Sequence, residues 1–256
     1  MPRMMSPAPN ATPGSGILGT ALNVAGILVG GVVGFVRRNP FSLTTESFWK
    51  VTLGAFTVFY GLRLTWTSLN GSAWQILKQL LIVVLALGLG RWTGRLLGLQ
   101  NLSNRLGQNA REQIEQATPE TRNVPSAGLS VSAVLFCAAP LGIVGAVADG
   151  AAGYYYPLAV KAAIDGFAAV GLARIFGWSV VLAAMPVLAF QGTIALVCAE
   201  WVGPFLSPKG LLDDTNAVAG LLIFSVALVI LQIKKITLAD YLPSLIFAPL
   251  LGWISR

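Results

Sequence analysis

Histidine is absent from this 256-residue sequence. That removes the side chain most used for acid–base catalysis near neutral pH, and the commonest transition-metal ligand with it. Cysteine occurs only twice, as Cys137 and Cys198, each inside an apolar run with no metal-type spacing. Both read as small packing residues. Charge is scarce too: 11% of residues are Asp, Glu, Lys or Arg, where a soluble domain carries about 25%. So few charges cannot cover a chain of this size, and most of its surface is predicted to meet lipid. No Gly-Lys-Ser/Thr follows a strand pattern, which excludes a phosphate-binding loop. No nucleophile–base pair or metal cluster is visible, which argues against an enzyme and against a bound cofactor.

What is present points the same way. Hydrophobic residues make up 55% of the chain and glycine contributes 28 positions; the mean hydropathy is +0.73. Glycine lets membrane helices approach closely. The net charge of +7 could suggest nucleic acid, but the basic residues flank apolar segments. Membrane orientation explains them without a nucleic-acid partner. Residues 1–15 are proline-rich and predict a disordered tail, not a cleavable signal. Residues 16–256 are predicted to form a single polytopic membrane domain.

A hydrocarbon core of about 30 Å needs about 20 apolar residues in a helix. Eight segments fit: 16–36, 51–69, 76–98, 127–148, 157–175, 179–201, 215–233 and 241–254. The fifth is weakened by Lys161 and Asp165, and the eighth by its length and Pro243. With eight spans, one side collects eleven basic residues, among them Arg37, Arg91, Arg111, Arg174 and Lys234, and the other six. The basic side is predicted to be cytoplasmic, with both termini periplasmic. The one long polar connection, 99–125, carries Leu99, Leu102, Leu106 and Ile114 at near-helical spacing. It reads as an amphipathic surface helix or as a solvated linker.

The halves resemble each other. LGAFTVFYGLRL (53–64) matches AGLLIFSVALVI (219–230), and each is followed by a span ending in Leu-Leu-Gly, at 96–98 and 250–252. Asn23 and Gln191 lie at a nearly constant offset upstream. Spans one to three would then match spans six to eight. The offset of five spans is odd, so the pattern predicts an inverted repeat.

An ionisable group at membrane depth costs roughly 2.5–3.5 kcal/mol and is a functional candidate by default. Residues 146–171 hold two Asp-Gly pairs, Asp149-Gly150 and Asp165-Gly166, with Lys161 between them. Lys161 and Asp165 share a helix face. One reading places Asp149 and Asp165 in a polar cavity that binds a cation or relays protons. The other makes Lys161–Asp165 a structural bridge and puts Asp149 in a wetted loop. Asn23 and Gln191, each near glycine in an apolar span, read as solute ligands or as an interhelical hydrogen bond. Met185-Pro186 and Pro140-Leu-Gly142 predict helix breaks in spans six and four. Gly26, Gly30 and Gly34 predict a smooth face for close helix contact.

Several segments carry a family resemblance: GTALNVAGILVGGVVG (19–34), VADG (147–150), KAAIDGFAAVGLA (161–173) and MPVLAFQG (185–192), with AVAGLLIF (217–224) and KKITLADYLPSLIFAPLL (234–251). They resemble the YqgA-like family of bacterial inner-membrane proteins, catalogued as domain of unknown function 554. The resemblance implies a polytopic inner-membrane fold and brings no substrate. Asn23, Asp149, Asp165 and Gln191 fall at matching places. The expected fold is thus an all-α integral membrane bundle of about eight transmembrane helices. Its expected function is carriage of a small solute or cation across the bilayer. The alternative is a non-transporting assembly or signalling component engaging a partner through 99–125, with the glycine faces forming a homo-oligomer.

Overall fold

The computed structural model describes residues 15–37, 41–118 and 124–255. The expected N-terminal tail lies almost wholly outside them. All regular structure among the described residues is helical. The helices are α1 (Leu18–Val36), α2 (Leu43–Ser68), α3 (Ala73–Leu96), α4 (Leu99–Glu115), α5 (Pro125–Ala138), α6 (Pro140–Ala152), α7 (Tyr156–Phe176), α8 (Ala184–Val197), α9 (Gly203–Leu206), α10 (Leu211–Ile230) and α11 (Ser244–Ile254). Four helical stretches are long and apolar enough to cross a membrane: α1, α3, Tyr156–Lys209 and α10. A fifth is the α5–α6 pair taken as one bent span.

Local chemistry explains where these helices start and bend. Ser42 accepts the Thr45 N–H at 3.2 Å, so α2 begins there and not at residue 51. Ser72 and Gln75 form a reciprocal capping box at the start of α3. Pro140 has no N–H to continue α5, and the chain turns by 60° between α5 and α6, the break that Pro140-Leu-Gly142 predicts. The break expected inside span six at Met185-Pro186 is not there, and α8 runs through both residues; the chain leaves α7 in the gap between the fifth and sixth segments. Gly177 has φ +75° and ψ −152°, ending α7, and a 3-10 stretch over Gly177–Ala183 leads into α8. Pro186 then falls in the first turn of α8, where a missing N–H costs little.

Two apolar cores result. One joins α2, α3, α6, α10 and α11 through Leu64, Val83, Val144, Leu222, Ile223 and Ala248. The other joins α1, α5, α7 and α8 through Ile27, Phe136, Leu172, Phe176 and Val187. Helix α4 is amphipathic, as its leucine spacing predicts, and is tied down at its first turn. Gln100 N–H donates to Asp240 at 3.1 Å, and the Gln100 side chain accepts the Ala239 N–H at 3.2 Å.

The glycine face of α1 lies flat along α7. A methyl group on Gly26, Gly30 or Gly34 would overlap the backbone of Ala162, Gly166 or Val170 in turn. Neither backbone can yield, so Gly30→Leu is expected to lower stability by about 3 kcal/mol, the upper part of the range for overpacked interiors. Gly171→Leu, where a side chain would meet nothing within 4 Å, is the control and should change little. Thermal denaturation of the two purified variants in detergent checks both.

Candidate functional site

The close α1–α7 contact places the polar residues of both helices at one depth. On α7, Lys161 and Asp165 are one turn apart, and Lys161 Nζ meets Asp165 Oδ2 at 2.5 Å. Their side chains are 2% and 7% exposed, so this pair is taken from water almost completely. From α1, the Asn23 side chain comes within reach of Asp165. It also donates to Gln191 Oε1 on α8 at 3.0 Å. A carboxylate accepts only, so Asn23 must turn its NH2 group towards Asp165, and this fixes both amides. Asn23 Oδ1 and Gln191 Nε2 are left over.

Asp149 is not in a wetted loop. Helix α6 continues to Ala152, and Asp149 is fully buried. Its Oδ2 accepts the Gly19 N–H at 2.8 Å, and the Thr20 N–H faces the same carboxylate. Helix α1 has no side-chain cap of its own. A carboxylate from a distant helix therefore satisfies its free N–H groups and faces the positive end of its dipole. Gly19 and Asn23 are four residues apart, about 6 Å along α1. Asp149 thus sits about a turn of α1 from the amide pair, and seven residues along α6 from Gly142, where Lys161 and Gln191 meet that helix.

The break between α5 and α6 closes the group from one side. Cys137, in the last turn of α5, lies within electrostatic reach of Lys161 and Asp165. A Cβ on Gly142, in the first turn of α6, would stand 2.9 Å from Gln191 Nε2 and 3.0 Å from Lys161 Cε. The structure therefore brings four candidates, Asn23, Lys161, Asp165 and Gln191, together, and places the fifth, Asp149, apart at the start of α1. Gly142, read in the sequence only as part of a helix break, lies among them, and Thr20, which the sequence reading passed over, lies beside Asp149. Thr20 stands three residues before Asn23, on the same face, which was the available signal.

Five buried polar atoms on these helices have no hydrogen-bond partner in the protein: Thr20 Oγ1, Asn23 Oδ1, Ser132 Oγ, Asp149 Oδ1 and Gln191 Nε2. Each unsatisfied group costs about 1–3 kcal/mol. Native proteins place few such groups, and a cluster marks a place for water, an ion or a ligand. A separate cavity of about 420 Å³ opens at the α2–α3 turn, lined by Asn70, Gln75, Lys78 and Gln79 among others. None of the five candidates reaches it.

Two relatives extend over nearly the whole chain. One is the "Uncharacterized membrane protein YdfK" of Bacillus subtilis (strain 168), 26% identical over 93% of this chain and 96% of that protein. The other is the "Uncharacterized protein YqgA" of Escherichia coli (strain K12), 28% identical over 91% of this chain and 94% of that one. No solved structure matches. The family model described as "Protein of unknown function (DUF554)" matches residues 18–253, from the first residue of α1 to the last turn of α11, so this chain belongs to the DUF554 family.

Proposed function

We propose that this protein is a small-solute or ion carrier of the bacterial inner membrane, built as an inverted repeat of eight spans with both termini periplasmic. The single observation that carries the reading is the pair of buried, unpartnered amide atoms, Asn23 Oδ1 and Gln191 Nε2, beside a broken helix. Carriers bind near the bilayer midplane on discontinuous helices, because only a lined cavity can satisfy the freed backbone groups.

Eight spans are reached from the apolar stretches by three steps. The stretch Tyr156–Lys209 has 54 residues. As a straight helix it would be about 81 Å long, far beyond a hydrocarbon core of about 30 Å. Breaking it at Gly177 makes α7 and α8 two spans. Helix α2 is 26 residues long and, despite Glu46, Lys50 and Arg63, packs along α10. Residues Leu238–Ile254, a shorter apolar stretch packed on α3, complete the count.

The repeat gains support from contacts between matching residues. About a two-fold axis, a helix meets its own counterpart where equivalent residues face each other. Asn23 bonds Gln191, its counterpart. Gly54 packs on Leu231 while Gly220 packs on Thr65, and the alignment of 53–64 on 219–230 makes these two contacts equivalent. Gly90 packs on Ser244, at matching distances before the two Leu-Leu-Gly stretches. The Asp-Gly pairs follow the same rule. Gly166 lies against Gly26 and Gly30, and Gly150 against Ala195 and Cys198. Gly30 and Cys198 coincide when Asn23 is laid on Gln191.

Binding is the direct test. A ligand present at 100 times its dissociation constant stabilises the folded state by about 2.7 kcal/mol. Purified protein screened against cations, anions and small metabolites should show such a shift for at least one class, and Asn23→Leu should abolish it. A flat melting profile across the whole panel would remove the carrier reading.

A further inference from the structure

The groups that converge where α5 gives way to α6 share one sign. Helix α6 has 13 residues and no side-chain cap on its first turn. A helix N-terminus presents about half a positive charge. Gln191 Nε2 is a fully buried donor without a protein partner, aimed at the first turn of α6, 2.9 Å from the Cβ position of Gly142. Lys161 Cε lies 3.0 Å from the same point. Gly142, with no side chain, lets Gln191 Nε2 and the Lys161 stem close directly onto the first turn of α6. A helix end, an amide N–H and the stem of a lysine therefore meet at one spot, with the Lys161 ammonium drawn to Asp165 beside it.

We propose that this spot takes a small monovalent anion, either inorganic or the carboxylate of a small organic acid, and that the anion binds together with one proton. The proposal rests on the carrier reading and names its substrate class. Lys161 is held by Asp165, so an anion arriving alone would leave two negative groups sharing one ammonium in a dry interior. Such a charge is expensive to hold there. A proton on Asp165 resolves this. The proton adds to the Asp165 carboxylate, the Lys161–Asp165 ion pair breaks, and Lys161 turns to the anion. One positive and one negative charge enter together, so the net charge of the group is unchanged. Asn23 stays within reach of the neutral Asp165, whose carbonyl oxygen still accepts.

The groups around α7 leave Asp165 as the proton's place. Helices α1, α5, α6 and α2 and the Gly177–Ala183 stretch pack against α7. Their titratable or charged side chains are Cys137 on α5, Asp149 on α6, and Glu46, Lys50, Tyr60 and Arg63 on α2. Of these, Cys137 is within reach of Asp165, and Asp149 is held by the N–H groups of α1. The aromatic contacts of α2 place Tyr60 and Arg63 at the Tyr156 end of α7.

Isothermal titration of the full-length protein in detergent with the sodium salts of chloride, nitrate, formate and acetate tests this. Paired buffers of different ionisation enthalpy report proton uptake. The expected result is binding of at least one anion with uptake of about one proton, and affinity rising about tenfold for each pH unit lowered. Asp165→Asn should keep anion binding and lose both the proton uptake and the pH dependence. Gln191→Leu and Gly142→Ala should weaken binding about tenfold while the protein remains folded by circular dichroism. Preference for chloride and nitrate assigns an inorganic anion; preference for formate and acetate assigns an organic acid. Binding of none of the four, or binding without proton uptake, would overturn the proposal. If the wider panel then yields a cation or neutral solute, the carrier reading survives without this substrate class; if it yields nothing, both fall.

Discussion

Lys161→Met is expected to destabilise the protein by about 3–5 kcal/mol, the cost of leaving one member of a buried ion pair without the other. The pair is 2.5 Å apart with both side chains almost wholly removed from water. Methionine fills a similar volume, so the loss reports charge and not packing. The double variant Lys161→Met with Asp165→Leu should recover most of that stability, since an apolar pair of similar size is often no less stable than a buried bridge. Equilibrium unfolding of the three proteins in mixed micelles gives the comparison. Equal losses in the single and double variants would mean that shape, not charge, holds this part of α7.

Asp149→Leu should have the next largest effect, about 2–4 kcal/mol, because it strips acceptors from the Gly19 and Thr20 N–H groups at once. The damage should be local to the first turn of α1. Hydrogen exchange read by mass spectrometry is therefore the sharper measurement. Peptides spanning the start of α1 should exchange faster in Asp149→Leu, while those from α3 and α10 should not. Asp149→Asn keeps one carbonyl acceptor and should lie between the two. Unchanged exchange at the start of α1 would show that the carboxylate does not cap it.

Much of this site was legible in the sequence because it rests on local spacing. Lys161 and Asp165 are one turn apart, and the glycines at 26, 30 and 34 recur with the helical period, so pairing and close packing followed from periodicity alone. Pro140 announced its break because a missing N–H in the middle of an apolar run interrupts the helical hydrogen bonds there. Asn23 with Gln191 emerged from the match between the halves. What escaped depends on tertiary placement. Nothing local to Asp149 says that the helix runs past it, or that Gly19, 130 positions away, supplies its partner. The early start of α2 at the Ser42 cap was masked by polar residues that lowered its apolar signal. The boundary between the fifth and sixth segments falls at Gly177, in the gap the apolar pattern leaves between 175 and 179, because glycine can take a positive φ; the further break expected at Pro186 is absent, because that proline lies in the first turn of α8. Thr20 drew no notice because a lone threonine in an apolar helix most often bonds its own backbone, as Thr57 and Ser68 do.

An inverted bundle around a buried polar site requires an odd number of crossings between α4 and the turn before α10. Glu112→Cys and Lys209→Cys, each made in a chain with Cys137 and Cys198 replaced by alanine, read this directly. In intact cells and in inverted vesicles, an impermeant thiol reagent should label the two positions from opposite faces, with residue 112 reached from the cytoplasmic side. Labelling of both from the same face would make Tyr156–Lys209 a single crossing or the α5–α6 pair a re-entrant loop, and would contradict the eight-span inverted repeat on which the carrier reading stands.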